Sequence, residues 1–227
     1  MANEAEKEVA ARASLKYIRD GQVVGLGTGS TATIAIRLIG ERVRAGLNIR
    51  GIPTSIASRD LATQLGIPLT SFEEVQEIDV TIDGADEFDP ALNLIKGGGG
   101  AMLREKIVAS ASKQLVIVTD SSKQAPILGR FPVPVEVIGF AEALIAKKIS
   151  DLGARVVQRQ DKAGQPYLTD ENHHILDCHF GQIPDPPALA RVLSEMPGLV
   201  EHGLFVRMAS VVLMAKAGAV EEFRRTG

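Results

Sequence analysis

Two clusters of residues in this chain are equipped for chemistry. Asp83-Gly84-Ala85-Asp86-Glu87 puts carboxylates where an apolar run over 78–82 leaves off. Lys96-Gly97-Gly98-Gly99-Gly100 puts an amine at the mouth of a glycine loop, with Glu105 just beyond it. In sheets whose strands alternate with helices, ligands bind at the carboxyl ends of strands. Carboxylates and an ammonium gathered there suit proton transfer on a small anionic molecule. A general base such as Glu105 must sit within ~3 Å of the proton it removes, and it contributes ~10²–10⁴ in rate. Lys96, partly desolvated beside the glycines, can polarise an oxygen. Four consecutive glycines carry an entropic cost that invites a reason. A flexible linker is one, but linkers are longer and polar, so backbone passing directly against a ligand fits this loop better.

The acidic cluster Asp79, Asp83, Asp86, Glu87 and Asp89 admits further readings. One is a solvated loop. Another is a divalent metal site, but the alternate oxygens and distal bidentate glutamate of a calcium loop are missing, so no metal is expected. The third has Asp83 and Asp86 facing a ligand, bonding sugar hydroxyls or exchanging protons with them.

Upstream, Gly25-Leu26-Gly27-Thr28-Gly29-Ser30-Thr31 follows one apolar run and opens a helical one. Free amides and the positive helix end favour an anion there. A dinucleotide fingerprint fails, because Ser30 stands where the third glycine belongs and the next strand runs into Pro53-Thr54-Ser55 without an acid. A P-loop fails too, for want of Gly-Lys-Ser/Thr. A monophosphate held by Thr28, Gly29, Ser30 and Thr31 is the better fit, with a bare strand-to-helix turn as the rival. Downstream, Asp120-Ser121-Ser122-Lys123 closes another apolar run, and Lys123 suits an anion or a developing oxyanion.

The elements that must position these residues follow from apolar periodicity. Strands are expected over 22–26, 48–52, 78–82, 92–95 and 114–119, and helices over 3–19, 34–43, 58–65 and 101–112. That alternation predicts an α/β fold, a Rossmann-like, mainly parallel sheet flanked by helices. The rhythm changes at Phe131-Pro132-Val133-Pro134. Strands over 133–138, 154–159, 167–169 and 174–180, with helices over 141–152 and 187–196, predict a smaller inserted α+β domain. Strands over 204–208 and 211–214 are expected to return to the main sheet. The domains are therefore 1–132 plus 207–227, and 133–206.

Bulk properties narrow the function classes. The 227 residues are 45% hydrophobic and 23% charged, with a net charge of −3, which gives no basic footprint for nucleic acid or for an anionic membrane. No apolar run reaches the ~20 residues of a membrane helix, and residues 1–8 hold no apolar leader segment. The cytoplasm is the expected location. The single Cys178 excludes an internal disulfide, and its alternating surroundings read as a core strand rather than a catalytic thiol.

At these motifs the chain resembles the ribose-5-phosphate isomerase type A family. The resemblance rests on residues 25–31, 83–87, 96–106 and 120–123, and extends through Phe131-Pro132-Val133-Pro134-Val135-Glu136-Val137 to Gly198-Leu199-Val200-Glu201-His202-Gly203-Leu204-Phe205. It departs late, at Arg207, Ser210 and residues 216–220. The resemblance implies interconversion of ribose 5-phosphate and ribulose 5-phosphate through an enediolate, without metal or organic cofactor. It implies Glu105 as the base, Asp83 in ring opening and proton exchange, and Asp86 and Lys96 on the sugar oxygens. It further implies amides of Gly97, Gly98 and Gly99 on the enediolate, Gly84 and Ala85 against the substrate, and Thr28 to Thr31 with Lys123 on its other side. The inserted domain would be ferredoxin-like, and the assembly a homodimer or homotetramer. Sugar-phosphate-sensing regulators of the same fold are the alternative. They need a DNA-reading module, whereas a single helix precedes the first strand here.

Overall fold

The computed structural model describes residues 2–225. Along the chain run α1 (Ala2–Ser14), β1 (Val23–Leu26), α2 (Ser30–Arg44), β2 (Arg50–Pro53), α3 (Ile56–Gln64), β3 (Val80–Asp83), β4 (Glu87–Phe88), β5 (Leu94–Ile95), α4 (Met102–Ser110) and β6 (Leu115–Asp120). Then come β7 (Val133–Val137), α5 (Glu142–Asp151), β8 (Arg155–Gln158), β9 (His174–His179), α6 (Pro186–Ser194), β10 (Leu199–His202), β11 (Leu204–Phe205), β12 (Val211–Lys216) and β13 (Ala219–Arg224). They group into two compact units. One holds Met1–Ala85, Arg104–Lys123 and Met208–Gly227, and the other holds Asp86–Leu103 and Gln124–Arg207.

The first unit is built on a six-stranded sheet in the order β13-β12-β6-β3-β1-β2, parallel except for β13. Strands β1, β3 and β6 are buried throughout; β1 and β6 read as apolar runs, whereas β3 alternates Val80 and Ile82 with the buried Thr81 and Asp83. Successive side chains point to opposite faces, and the two faces find different partners. Val24, Leu26, Val80, Ile82, Val116 and Val118 pack with Ala10 and Ala11 of α1 and Ile36 and Ile39 of α2. Val23, Ile52 and Ile78 pack with Val108 of α4. Each such Val, Leu or Ile contributes roughly 1.5–3 kcal/mol when fully buried. The helix carrying Glu105 therefore covers the sheet face turned away from α1 and α2.

The second unit contains β7-α5-β8-β9-α6-β10 with its strands ordered β10-β7-β9-β8, each pair antiparallel. This is the ferredoxin-like arrangement. Val133, Val135 and Val137 of β7 pack with Ile145 and Ile149 of α5, Leu176 and Cys178 of β9, and Leu193 of α6. Helix α6 starts where the Asp185 carboxylate accepts the Ala188 amide (3.0 Å) and prolines fill its first positions. Burial, with Asp177 next to it, pushes the Cys178 thiol up to about 12, so this cysteine is core material rather than a nucleophile.

Three departures from the sequence-based expectations have physical causes. Residues 204–205 do not join the main sheet. Leu204 and Phe205 pair antiparallel with Ile95 and Leu94 in a three-stranded sheet β11-β5-β4. Gly203 directs them there, its amide donating to the Pro134 carbonyl (2.7 Å) and its carbonyl accepting from the Lys96 amide (2.9 Å). Residues 167–169 form no strand and make only an isolated bridge from Leu168 to His174. The polar, exposed β13 is invisible to an apolar template. A two-residue turn folds it back onto β12, with Ala217 at φ 49° and Gly218 at φ 82°, the signs of a type I′ hairpin.

Candidate active site

In the first unit the carboxyl ends of β1, β3 and β6 lie side by side, with Leu26 paired to Ile82 and Asp83 paired to Ile117. Sheet order reverses direction between β1 and β3, the switch point at which α/β sheets open a crevice. Asp83 fills that point. It is buried, and its Oδ1 accepts the amides of Thr28 (3.1 Å) and Gly84 (2.7 Å). The approach is close enough to demand glycine at position 27, where a Cβ would lie 2.6 Å from the Asp83 Cα.

The loop after β1 ends at Gly29, whose φ of 99° and ψ of 176° lead into α2. The first intrahelical bond runs from the Thr33 amide to the Gly29 carbonyl, so Ser30, Thr31 and Ala32 carry the first-turn amides that a helix leaves for an anion. The Thr28 hydroxyl turns elsewhere. It meets Thr54 Oγ1 (2.7 Å), Ser55 Oγ (2.8 Å) and Ser58 Oγ (3.0 Å), while the Ser58 hydroxyl donates to the Gly27 carbonyl (2.7 Å). This hydroxyl cluster braces the loop from α3. Sequence reasoning stopped at the missing acid after Pro53 and overlooked the hydroxyls that stand in its place.

At the end of β6, Asp120 is buried and accepts the Ser122 amide (2.9 Å). Ser121 donates its amide (3.0 Å) and hydroxyl (2.8 Å) to Glu6 of α1, which also accepts the Ala217 amide (3.1 Å). Those bonds hold the Glu6 carboxyl below its usual range, the Ser121 amide most strongly. They also anchor the short 3₁₀ turn that presents Lys123. Glu105 occupies the first turn of α4 and is only 4% exposed.

The second unit brings together Asp86, Lys96 and the glycine loop. Asp86 Oδ2 accepts the Gly98 amide (2.7 Å), and the Asp86 amide donates to the Ile95 carbonyl (2.8 Å). Lys96 is 2% exposed with its ammonium 5.4 Å from the Phe205 ring centre, a cation–π distance. The loop closes on itself through the Gly100 amide and Gly97 carbonyl (3.0 Å), which leaves Gly98 and Gly99 exposed. Arg159 donates to the carbonyls of Gly97 and Gly98 from the neighbouring sheet. No spacing in the sequence signals that contact.

Among the described residues, no three His, Cys, Asp or Glu side chains gather closely enough to hold a metal ion. None of the described helices is long and apolar enough to cross a membrane.

Comparison with known proteins accounts for the same motifs. The sequence model of ribose 5-phosphate isomerase A (phosphoriboisomerase A) matches residues 50–219. The chain is 48% identical to ribose-5-phosphate isomerase A of Bradyrhizobium diazoefficiens, over 97% of this chain and 95% of that one. Its fold is similar to a D-ribose-5-phosphate isomerase solved in complex with phospho-erythronic acid, with TM-score 0.96, 38% identity, and coverage of 99% of this chain and 100% of that one. It is also similar to ribose 5-phosphate isomerase A of Methanocaldococcus jannaschii, with TM-score 0.92, 39% identity, and coverage of 97% and 98%.

Proposed function

The chain belongs to the ribose 5-phosphate isomerase A family, and we infer that it is an aldose–ketose isomerase interconverting D-ribose 5-phosphate and D-ribulose 5-phosphate in the pentose phosphate pathway. The observation that carries this reading is 48% identity to an isomerase of that name across 97% of the chain.

Each residue then has a part in a balanced proton relay. Asp83 assists ring opening by exchanging a proton with the sugar hydroxyls. In the open-chain aldehyde, Glu105 takes the proton from C2. The C–H electron pair becomes the C1–C2 double bond, and the aldehyde oxygen takes up the negative charge. Lys96 and the loop of Gly97, Gly98 and Gly99 stabilise this enediolate, a well-aimed amide such as that of Gly99 being worth ~3 kcal/mol, while the Gly98 amide stays on Asp86. Glu105 returns the proton to C1 as the C2 hydroxyl passes its own to the C1 oxyanion, which leaves a ketone at C2 and a hydroxyl at C1. Asp86 holds sugar hydroxyls, with Gly84 and Ala85 against the substrate. The amides of Gly29, Ser30 and Thr31 and the hydroxyls of Ser30 and Thr31, on the loop that Thr28 braces, take its far side with Lys123. No metal or organic cofactor has a step to perform. Residues 133–206 act as the inserted domain, used in subunit contact within a homodimer or homotetramer, and the protein works in the cytoplasm.

The test is an isomerase assay on ribose 5-phosphate, with and without chelator, beside Glu105→Gln. The variant should lose ~10²–10⁴ in kcat and keep its melting temperature. A near-normal kcat would remove the base assignment, and a wild type that binds ribose 5-phosphate without turning it over would remove the isomerase itself.

A further inference from the structure

We propose that Arg159, clamped by Asp177, is a positioning residue for the isomerisation: it holds the carbonyls of Gly97 and Gly98, so that the Gly98 amide stays on Asp86 and the Gly99 amide faces the developing enediolate. The proposal rests on the isomerase reading and deepens it.

Register places the pair. Val157 of β8 lies opposite Asp177 of β9, and the Arg159 amide bonds the Ile175 carbonyl (2.8 Å). Residues 157 and 159 share a face, so Arg159 is the diagonal neighbour of Asp177, within reach for long side chains. The guanidinium takes the carboxylate in a fork, Nε to Oδ2 (3.0 Å) and Nη2 to Oδ1. The two side chains are 14% and 20% exposed. A bidentate pair this sheltered fixes direction as well as charge.

The remaining guanidinium nitrogen, Nη1, donates to the Gly97 carbonyl (2.9 Å) and the Gly98 carbonyl (3.3 Å). Tyr167 completes the support. Its ring centre is 6.0 Å from the guanidinium carbon, and it packs so tightly on Gly100 that a Cβ there would lie 2.3 Å from its hydroxyl oxygen.

Peptide geometry converts this grip into a direction. No described peptide bond is cis, so each carbonyl points opposite the amide of the next residue. The Gly97 carbonyl held by Arg159 sends the Gly98 amide the other way, where it meets Asp86 Oδ2 at 2.7 Å. The peptide joining Gly97 and Gly98 is thus pinned at both ends. The Gly98 carbonyl, drawn to the same guanidinium, turns the exposed Gly99 amide away from Arg159 likewise. A cation on the carbonyl side polarises each peptide and strengthens its N–H as a donor. Glycines are otherwise free to turn either way, so without Arg159 the peptide joining Gly98 and Gly99 loses the contact that sets its direction, while the one joining Gly97 and Gly98 keeps its bonds to Gly100 and Asp86.

The test compares wild type with Arg159→Gln, Arg159→Lys and Asp177→Asn, reading kcat and KM for ribose 5-phosphate, inhibition by phospho-erythronic acid and by inorganic phosphate, and melting temperature. The carboxylate of phospho-erythronic acid stands in for the enediolate oxygens. Arg159→Gln should lower kcat ~10–100-fold, less than the ~10²–10³ that follows outright removal of an oxyanion donor. KM and phosphate inhibition should move less than threefold, while phospho-erythronic acid weakens in step with kcat. Arg159→Lys and Asp177→Asn should fall between Arg159→Gln and wild type. If Arg159→Gln does not fold, recovery of kcat by Arg159→Ala in millimolar guanidinium supports the same role, and a failure to recover counts against it. A wild type that turns over while folded Arg159 variants keep their kcat overturns the proposal alone. Equal losses toward phosphate and phospho-erythronic acid also overturn it, since general loosening would produce them. A wild type without turnover removes the isomerase reading itself.

Discussion

Asp83 commits Oδ1 to the amides of Thr28 and Gly84 and is 1% exposed. A carboxylate tied in this way needs no reorganisation when a proton passes, the condition on which electrostatic catalysis rests. Glu136 of β7 is also buried. Its Oε1 meets the Thr169 hydroxyl and His173 Nδ1, both at 2.9 Å, while its Oε2 has no hydrogen-bond partner among the described residues. Burial raises its pKa against the pull of those two contacts. Its stabilising effect is therefore complete below the unfolded value of 4.5 and is lost as pH rises through the higher folded one. Glu136→Gln should gain in melting temperature relative to wild type between pH 4.5 and pH 8, and a pH-independent difference would contradict that assignment. At this scale the sequence was most readable where partners are neighbours in the chain: Asp83 with Gly84, or Lys96 with its glycines. Arg159 and the Ser55–Ser58 pair escaped notice because they reach the loops from distant positions, through a sheet register that spacing does not encode.

Among the elements, buried strands announced themselves and exposed ones did not. Strands β1 and β6 carry apolar side chains on both faces, β3 sets Val80 and Ile82 on the face opposite Thr81, and all three could be placed from periodicity alone. Strand β13 carries the exposed Glu221 and Glu222 on opposite faces, and it exists because a turn and a partner exist. Strand β11 had the right composition for the main sheet, but Gly203 bonds it into another. The β12–β13 turn carries a local cost. Ala217 sits at φ 49°, a left-handed conformation that costs an L-residue roughly 1–2 kcal/mol, whereas Asn-Gly suits such a turn. Ala217→Asn should recover about 1 kcal/mol and raise the melting temperature by roughly 2–4 °C. An unchanged or lower melting temperature would show that the turn is not strained at that residue.

For the molecule as a whole, one exposed apolar patch needs an explanation. Phe140 is 100% exposed, with Ile138 at 39% beside it and Leu144 at 55% one turn along α5. Apolar side chains grouped in this way mark contact surfaces, and a second copy of the chain is the expected occupant. Phe140→Asp with Leu144→Asp should shift sedimentation toward the monomer and leave the fold intact; a variant that stays associated would place the contact elsewhere. Another feature reaches beyond the finished molecule. The backbone passes between its two units four times, after Ala85, Leu103, Lys123 and Arg207, and β12 and β13 of the first sheet follow the second unit's last residue. On the ribosome, β7 to β10 can emerge and pair while β6 still shows a bare edge to its missing neighbour. Glu6 likewise waits for the amide of Ala217, 211 residues further along the chain. Strand β6, which carries Asp120, thus gains its second neighbour only after the second unit's last residue has been made, and a nascent chain that has reached only Arg207 presents an open sheet edge, the surface on which another chain can aggregate.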